Sequence, residues 1–232
     1  DVAELPDSNR LKAQLLELGK EALTDVGIGV IAIRRTESGA WERIFSEGDR
    51  RISGISGLTD GRYLTATGAA IAVFTKASGQ GYIDDLGDKI IGTFNNCAGG
   101  TTPWGTVMSA EENFQNYVPE PVYSDGTSLP IDAKPFVVSA DGFEGLGSGF
   151  GYAGNKYGWM VEVDPANPSD YGVKHTWLGR FRHEAVAVRA VENSKMAVYS
   201  GCDRRGGHLY KFVSAGTVTN PTSKANSELF AD

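Results

Sequence analysis

The chain has 232 residues, of which 41 % are apolar and 22 % charged, and it carries a formal net charge of −7. That size fits one large domain or a compact pair, with a sizeable core. The absence of a basic stripe argues against nucleic acid as a partner, and no apolar run approaches the roughly 20 residues of a membrane span. An acidic surface suits cations and repels phosphorylated molecules unless metal ions or local arginines neutralise them. Glycine is abundant, 30 of 232 and scattered along the chain, which points to many tight turns. The two cysteines, Cys97 and Cys202, allow one disulfide but no disulfide framework. The chain begins at Asp1 rather than Met, which suggests that an N-terminal piece has been removed, and no targeting segment is visible.

In chain order, residues 9–24 read as an amphipathic helix. Leu11, Leu15, Leu18 and Ala22 recur at helical spacing, with Ser8 as N-cap and Pro6 just before it. After Asp25 the period changes to two. Val30 to Arg34, a turn at Glu37-Ser38-Gly39, and Trp41 to Phe45 form a hairpin. Further strands are expected at Tyr63–Ala66, Ile90–Phe94, Thr106–Met108, Phe136–Ser139, Gly158–Val163 and Lys174–Trp177. Ala185–Arg189, Met196–Ser200 and Leu209–Val213 complete the set. Many short strands without alternating helices argue for an all-β fold, a propeller or a sandwich, behind one short N-terminal helix. Residues 116–134 and 140–157 read as long loops, which in a compact domain are functional or mobile. No linker divides the chain, so residues 1–232 are read as one domain. The polar stretch after Val213, followed by an abrupt Leu229-Phe230-Ala231-Asp232, reads as truncation at the C-terminus.

Several motifs fail on context. Gly149-x-Gly151-x-x-Gly154 spells a dinucleotide fingerprint, but the strand-like Gly158-Trp159-Met160-Val161 follows where a helix is required. His183-Glu184 lacks the second histidine of a zincin, since Ala187 stands there, and no G-x-S-x-G elbow exists. Cys202-Asp203-Arg204-Arg205-Gly206-Gly207 is either an oxyanion-holding loop or a plain hairpin turn with solvated arginines. His175, His183 and His208 could form a metal site, although single histidines are more often structural.

The stretch Asn95 to Asn113, NNCAGGTTPWGTVMSAEEN, is the most informative. A soft thiolate at Cys97 and hard carboxylates at Glu111 and Glu112 lie close in sequence, a donor set that suits a metal. The plain alternatives are a small buried cysteine and a solvated strand end. Adjacent carboxylates on a strand point to opposite faces, so only one of the two would serve a given ion.

Four segments together resemble the PhoX-type alkaline phosphatase family. They are Asp25-Val26-Gly27-Ile28-Gly29-Val30 to Arg35, Asn96-Cys97-Ala98-Gly99-Gly100 through Thr102-Pro103-Trp104-Gly105 to Asn113, Gly179-Arg180-Phe181-Arg182-His183-Glu184-Ala185, and Tyr199-Ser200-Gly201-Cys202-Asp203-Arg204-Arg205 into Tyr210-Lys211-Phe212. The resemblance implies a β-propeller, incomplete in this chain, with iron and calcium at its axis and hydrolysis of phosphate monoesters. It implies metal ligation by Cys97, Glu184, Asp203 and one or both of Glu111 and Glu112. Arg180 and Arg204 would hold phosphate oxygens. It also implies small phosphorylated substrates as partners and a periplasmic or extracellular location. The family is longer than this chain, and His208 falls where an acidic residue is expected. The helix at 9–24 has no counterpart in the resemblance. Two rival readings are a propeller-type binding module without catalysis and a calcium-dependent propeller lactonase or esterase. The sequence does not give the oligomeric state.

Overall fold

A computed structural model describes residues 1–231. Helix α1 (Arg10–Asp25) opens the fold, capped by Asn9, whose side chain accepts the Leu11 amide at 2.8 Å. The cap is thus Asn9 rather than Ser8. The buried face also differs from expectation: Gly19 and Leu23 are buried, whereas Leu11 and Leu18 are exposed. Gly19 is the reason. Any Cβ there would lie 3.1 Å from both Leu146 and Phe136, so the helix approaches its neighbours through its smallest residue.

The strands are β1 (Gly27–Val30), β2 (Ala32–Arg35), β3 (Trp41–Ile44), β4 (Arg50–Ser53), β5 (Thr65–Thr67), β6 (Asn96–Thr101) and β7 (Val107–Glu111). After them come β8 (Val137–Ser139), β9 (Gly142–Glu144), β10 (Met160–Val163), β11 (Val173–His175), β12 (His183–Arg189), β13 (Ser194–Cys202) and β14 (Leu209–Val218). The expected hairpin is β2–β3, and the flanking strands β1 and β4 pair with each other. A five-stranded sheet runs β5-β11-β10-β7-β6, antiparallel except for the β11–β5 pair, and a three-stranded antiparallel sheet runs β12-β13-β14.

The fold is therefore mostly β. Among the described residues its sheets do not close into a ring of blades. Ile90–Phe94 is not a strand: Ile90 makes a single bridge to Leu64, and Ile91 to Phe94 run on as a buried irregular segment. The segment 140–157 is not all loop, since it contains β9 and a short helix at Leu146–Gly149.

Two apolar clusters organise the molecule. The larger surrounds Phe94, whose ring stacks on Tyr117 and Tyr157 with centroids 4.5 Å away in each case. Tyr157 and Tyr152 bury their hydroxyls on the carbonyls of Ile91 and Gly54, so their polar ends are satisfied. The second cluster joins β7, β10, β12 and β13 through Met108, Met160, Val186 and Met196. A 3-10 turn at Lys224–Phe230 closes it. Phe230 is fully buried beside Trp104, His175 and Phe212, and Ser227 donates to Glu162 at 2.8 Å.

Candidate metal and phosphate site

β6 is held between β7 and β12 by glycine. A Cβ at Gly99 would lie 2.3 Å from the Met108 carbonyl, and one at Gly100 would lie 2.6 Å from the Val186 carbonyl. Only a residue without a side chain permits such an approach. Both strands that bear site residues are bulged. The β6–β7 register slips between Asn96 and Gly99, across Cys97 and Ala98. The β12–β13 register slips between His183 and Val186, across Glu184 and Ala185. A bulge inserts one unpaired residue and re-aims its side chain, and such features concentrate next to functional sites.

Cys97 lies beside Glu112 and within reach of the charge of Glu184. Hydrogen bonding to the Glu112 carboxylate is the main reason that the Cys97 thiol pKa lies above its usual value. Partial burial and the negative charges of Glu112 and Glu184 add to it. Cys97 and Glu184 are exposed, whereas Glu112 is 8 % exposed and is held by Asn113 at 3.0 Å.

The other sequence candidates are placed differently. Glu111 is fully buried and all its acceptor capacity faces protein donors: Thr93 and Lys174 on Oε1, the Gly158 and Trp159 amides on Oε2. It is a structural anchor, not a free ligand. Arg180 is likewise engaged. Its guanidinium donates to the carbonyls of Tyr157, Glu120 and Gly154 at 2.7, 2.6 and 2.8 Å and lies over the Phe114 ring. Burial lowers its pKa to about 10, against the pull of Glu120 and Glu111. A guanidinium committed to three carbonyls has no fork left for phosphate.

Asp203 and Arg204 lie exposed in the turn of the β13–β14 hairpin, where the Asp203 amide donates to the Arg182 carbonyl. The plain hairpin reading of the 202–207 segment therefore describes its backbone. The two cysteines are free thiols. The three histidines do not converge. His175 bridges Glu162 and Thr67, His183 bridges Ser200 and the Gly179 carbonyl, and His208 is exposed. Among the described residues, no group of three or more His, Cys, Asp or Glu side chains is closed tightly enough to hold a metal ion.

Sequence reasoning missed Arg182. It forms a two-pronged pair with Glu120, 3.2 Å from Nε and 2.7 Å from the second nitrogen, and that pair is the main reason its pKa is raised. Its place two residues before Glu184, in a strand entry that must alternate faces, was the available signal. Thr93 and Lys174 were also missed. A lysine between Val173 and His175 of a short inner strand was the visible clue for the second.

A mostly-β scaffold presents a thiol and a carboxylate on two bulges, with Glu112 beside the thiol, and these define a candidate ligand site. The chain belongs to the alkaline phosphatase PhoX family, whose profile matches residues 3–232. It is similar to the solved structure of Pseudomonas fluorescens PhoX in complex with vanadate, a transition state analogue, at 33 % identity and a TM-score of 0.70. The match covers 93 % of this chain and 37 % of that one, so this chain spans little more than a third of its length. No match is found among curated proteins.

Proposed function

We propose that this chain supplies part of the active site of a metal-dependent phosphatase acting on phosphate monoesters. The observation that carries the reading is the meeting of Cys97 with Glu112 across a bulged strand, with Glu184 facing them from β12. The donor chemistry fits: a thiolate suits iron, and carboxylates suit ferric iron and calcium. Cys97, Glu112 and Glu184 would hold such ions, which when bound would polarise a phosphoryl oxygen. Asp203 and Arg204, on a neighbouring exposed turn, would add a ligand and a phosphate contact. Three donors do not complete two metal shells, so further ligands from outside these residues are part of the proposal. A propeller architecture and a periplasmic or extracellular setting belong to the same reading, supported by family membership. Phosphorylated small molecules are the substrate class, in keeping with the vanadate held by the P. fluorescens relative.

The test is elemental analysis with visible absorption, alongside hydrolysis of a chromogenic phosphomonoester, on the chain and on Cys97→Ala. Iron and calcium in near-integer ratio, with a coloured band lost in Cys97→Ala, support the reading. Equal metal content and activity in Cys97→Ala remove the thiolate from it. A metal-free, inactive chain means either that the ligands from outside these residues are indispensable or that this is a binding scaffold, and a longer chain decides between those two. Turnover of lactones without phosphate esters favours the lactonase.

A further inference from the structure

Asn96 and Glu111 are directly paired across β6 and β7. Each immediately precedes a site residue, Cys97 in one strand and Glu112 in the next position of the other. The bulge at Cys97 and Ala98 removes ladder hydrogen bonds where the spacing of the two site groups is set. The Glu112 amide still donates to the Asn95 carbonyl at 3.0 Å, but on the Cys97 side the ladder is interrupted, so a side-chain link must help to hold the spacing there.

Thr93 does so from behind. Its hydroxyl donates to Glu111 Oε1 at 2.7 Å and accepts from Asn96 Nδ2 at 2.9 Å. One hydroxyl can do both at once, so Thr93 ties the two strands together through their side chains. Asn96 has little else to hold it, since its Oδ1 is buried without a hydrogen-bond partner. Glu111, by contrast, is fixed rigidly by Lys174 at 2.6 Å and by the Gly158 and Trp159 amides at 2.9 and 3.1 Å. The rigid end of the link is β7 and the adjustable end is bulged β6. Thr93 itself is fully buried and contacts no solvent.

We propose that Thr93 is a positioning residue: its hydroxyl locks bulged β6 to β7 and so sets the distance between the Cys97 thiol and the Glu112 carboxylate. The inference rests on the reading of that pair as the site, but it concerns their spacing and not the identity of any metal. Groups that orient ligands from behind a metal site typically change affinity by about 10–100-fold when removed.

The test compares Thr93→Val, which keeps shape and deletes the hydroxyl, with Thr93→Ser, which keeps the hydroxyl. Alkylation of Cys97 by iodoacetamide is followed at neutral pH by peptide mass spectrometry on the full chain without metal. Glu112→Gln calibrates loss of the carboxylate contact. Cobalt(II) is then titrated and its thiolate absorption band recorded, with thermal unfolding measured in parallel. The expected result is severalfold faster alkylation in Thr93→Val, approaching Glu112→Gln, and cobalt binding weaker by about tenfold or more. Thr93→Ser should match wild type in both. Should Thr93→Val fail to fold, Asn96→Ala cuts the other end of the link and should show the same acceleration. Wild-type alkylation in Thr93→Val, or in Asn96→Ala, overturns the proposal even if the melting temperature drops. If alkylation responds as expected while wild type binds no cobalt, the positioning role stands and the metal reading falls.

Discussion

Lys174 Nζ lies 2.6 Å from Glu111 Oε1, with neither side chain exposed to solvent. The ammonium also donates to the Lys156 carbonyl and sits 4.2 Å from the Tyr157 ring centroid. Burial lowers the Lys174 pKa, and Glu111 opposes that shift. Removing the lysine alone leaves a buried carboxylate without its counter-charge. Lys174→Met should therefore destabilise the chain by about 3–5 kcal/mol. Adding Glu111→Gln should recover part of that loss. Chemical denaturation of the single and double variants checks this, and an additive double variant would show that the two do not interact.

Arg180→Lys should lose stability, because a single ammonium cannot reproduce three forked donations to Tyr157, Glu120 and Gly154. Leaving buried carbonyls unsatisfied costs about 1–3 kcal/mol each at most. The measurement is again denaturation. A variant of full stability with altered phosphate binding would reverse the structural role assigned to Arg180.

Gly100→Ala would place a methyl against the Val186 carbonyl at 2.6 Å, and that neighbour is backbone. β12 must then move away from β6, carrying Glu184 away from Cys97. The expected outcome is lower stability and weaker cobalt binding together, whereas Gly201→Ala, which meets nothing within 4 Å, should leave both nearly unchanged. Equal cobalt affinity in Gly100→Ala and wild type would count against the approach of the two strands.

His183 sets a pH dependence. Burial lowers its pKa to about 4 from the usual 6.5, against a smaller upward effect of its bond to the Gly179 carbonyl. The neutral ring donates from Nε2 to the Gly179 carbonyl, and its Nδ1 lies 2.8 Å from Ser200 Oγ, whose hydroxyl also reaches the Ala185 carbonyl. Between about pH 4 and 6.5 the unfolded chain binds a proton that the folded chain does not, so stability rises with pH across that window. The contribution is fully present above pH 6.5 and is lost as pH falls through about 4, amounting to about 3 kcal/mol. Denaturation from pH 4 to 7 should show this slope, and His183→Gln should flatten it.

The helix at the N-terminus was legible because its apolar spacing repeats, yet its buried face was not. The contact centres on Gly19, which an apolar pattern cannot mark. The hairpin at β2–β3 followed from turn chemistry. β6 went unread because Asn-Cys-Ala-Gly-Gly-Thr has almost no strand-forming residues, and its glycines serve close approach instead. Alternation along a strand separated Glu111 from Glu112 in principle. Which of them faces inward depends on Lys174 and the amides of Gly158 and Trp159, which lie far away in sequence. The sequence assigns phosphate to Arg180 and nothing to Arg182 for the same reason, since the carbonyls that occupy Arg180 come from distant loops.

The paired bulges make the chain unequally tolerant of change. Deleting one residue at Ala98 or Ala185 would regularise a ladder and keep the pairs on either side, yet it would remove the bulge that aims Cys97 or Glu184. Cys97 or Glu184 would then turn away from its neighbours with no clash to signal the error. Substitutions away from the close-packed glycines Gly99 and Gly100 can be absorbed one at a time, but insertions and deletions cannot. The count of residues in β6 and β12 is itself part of the site.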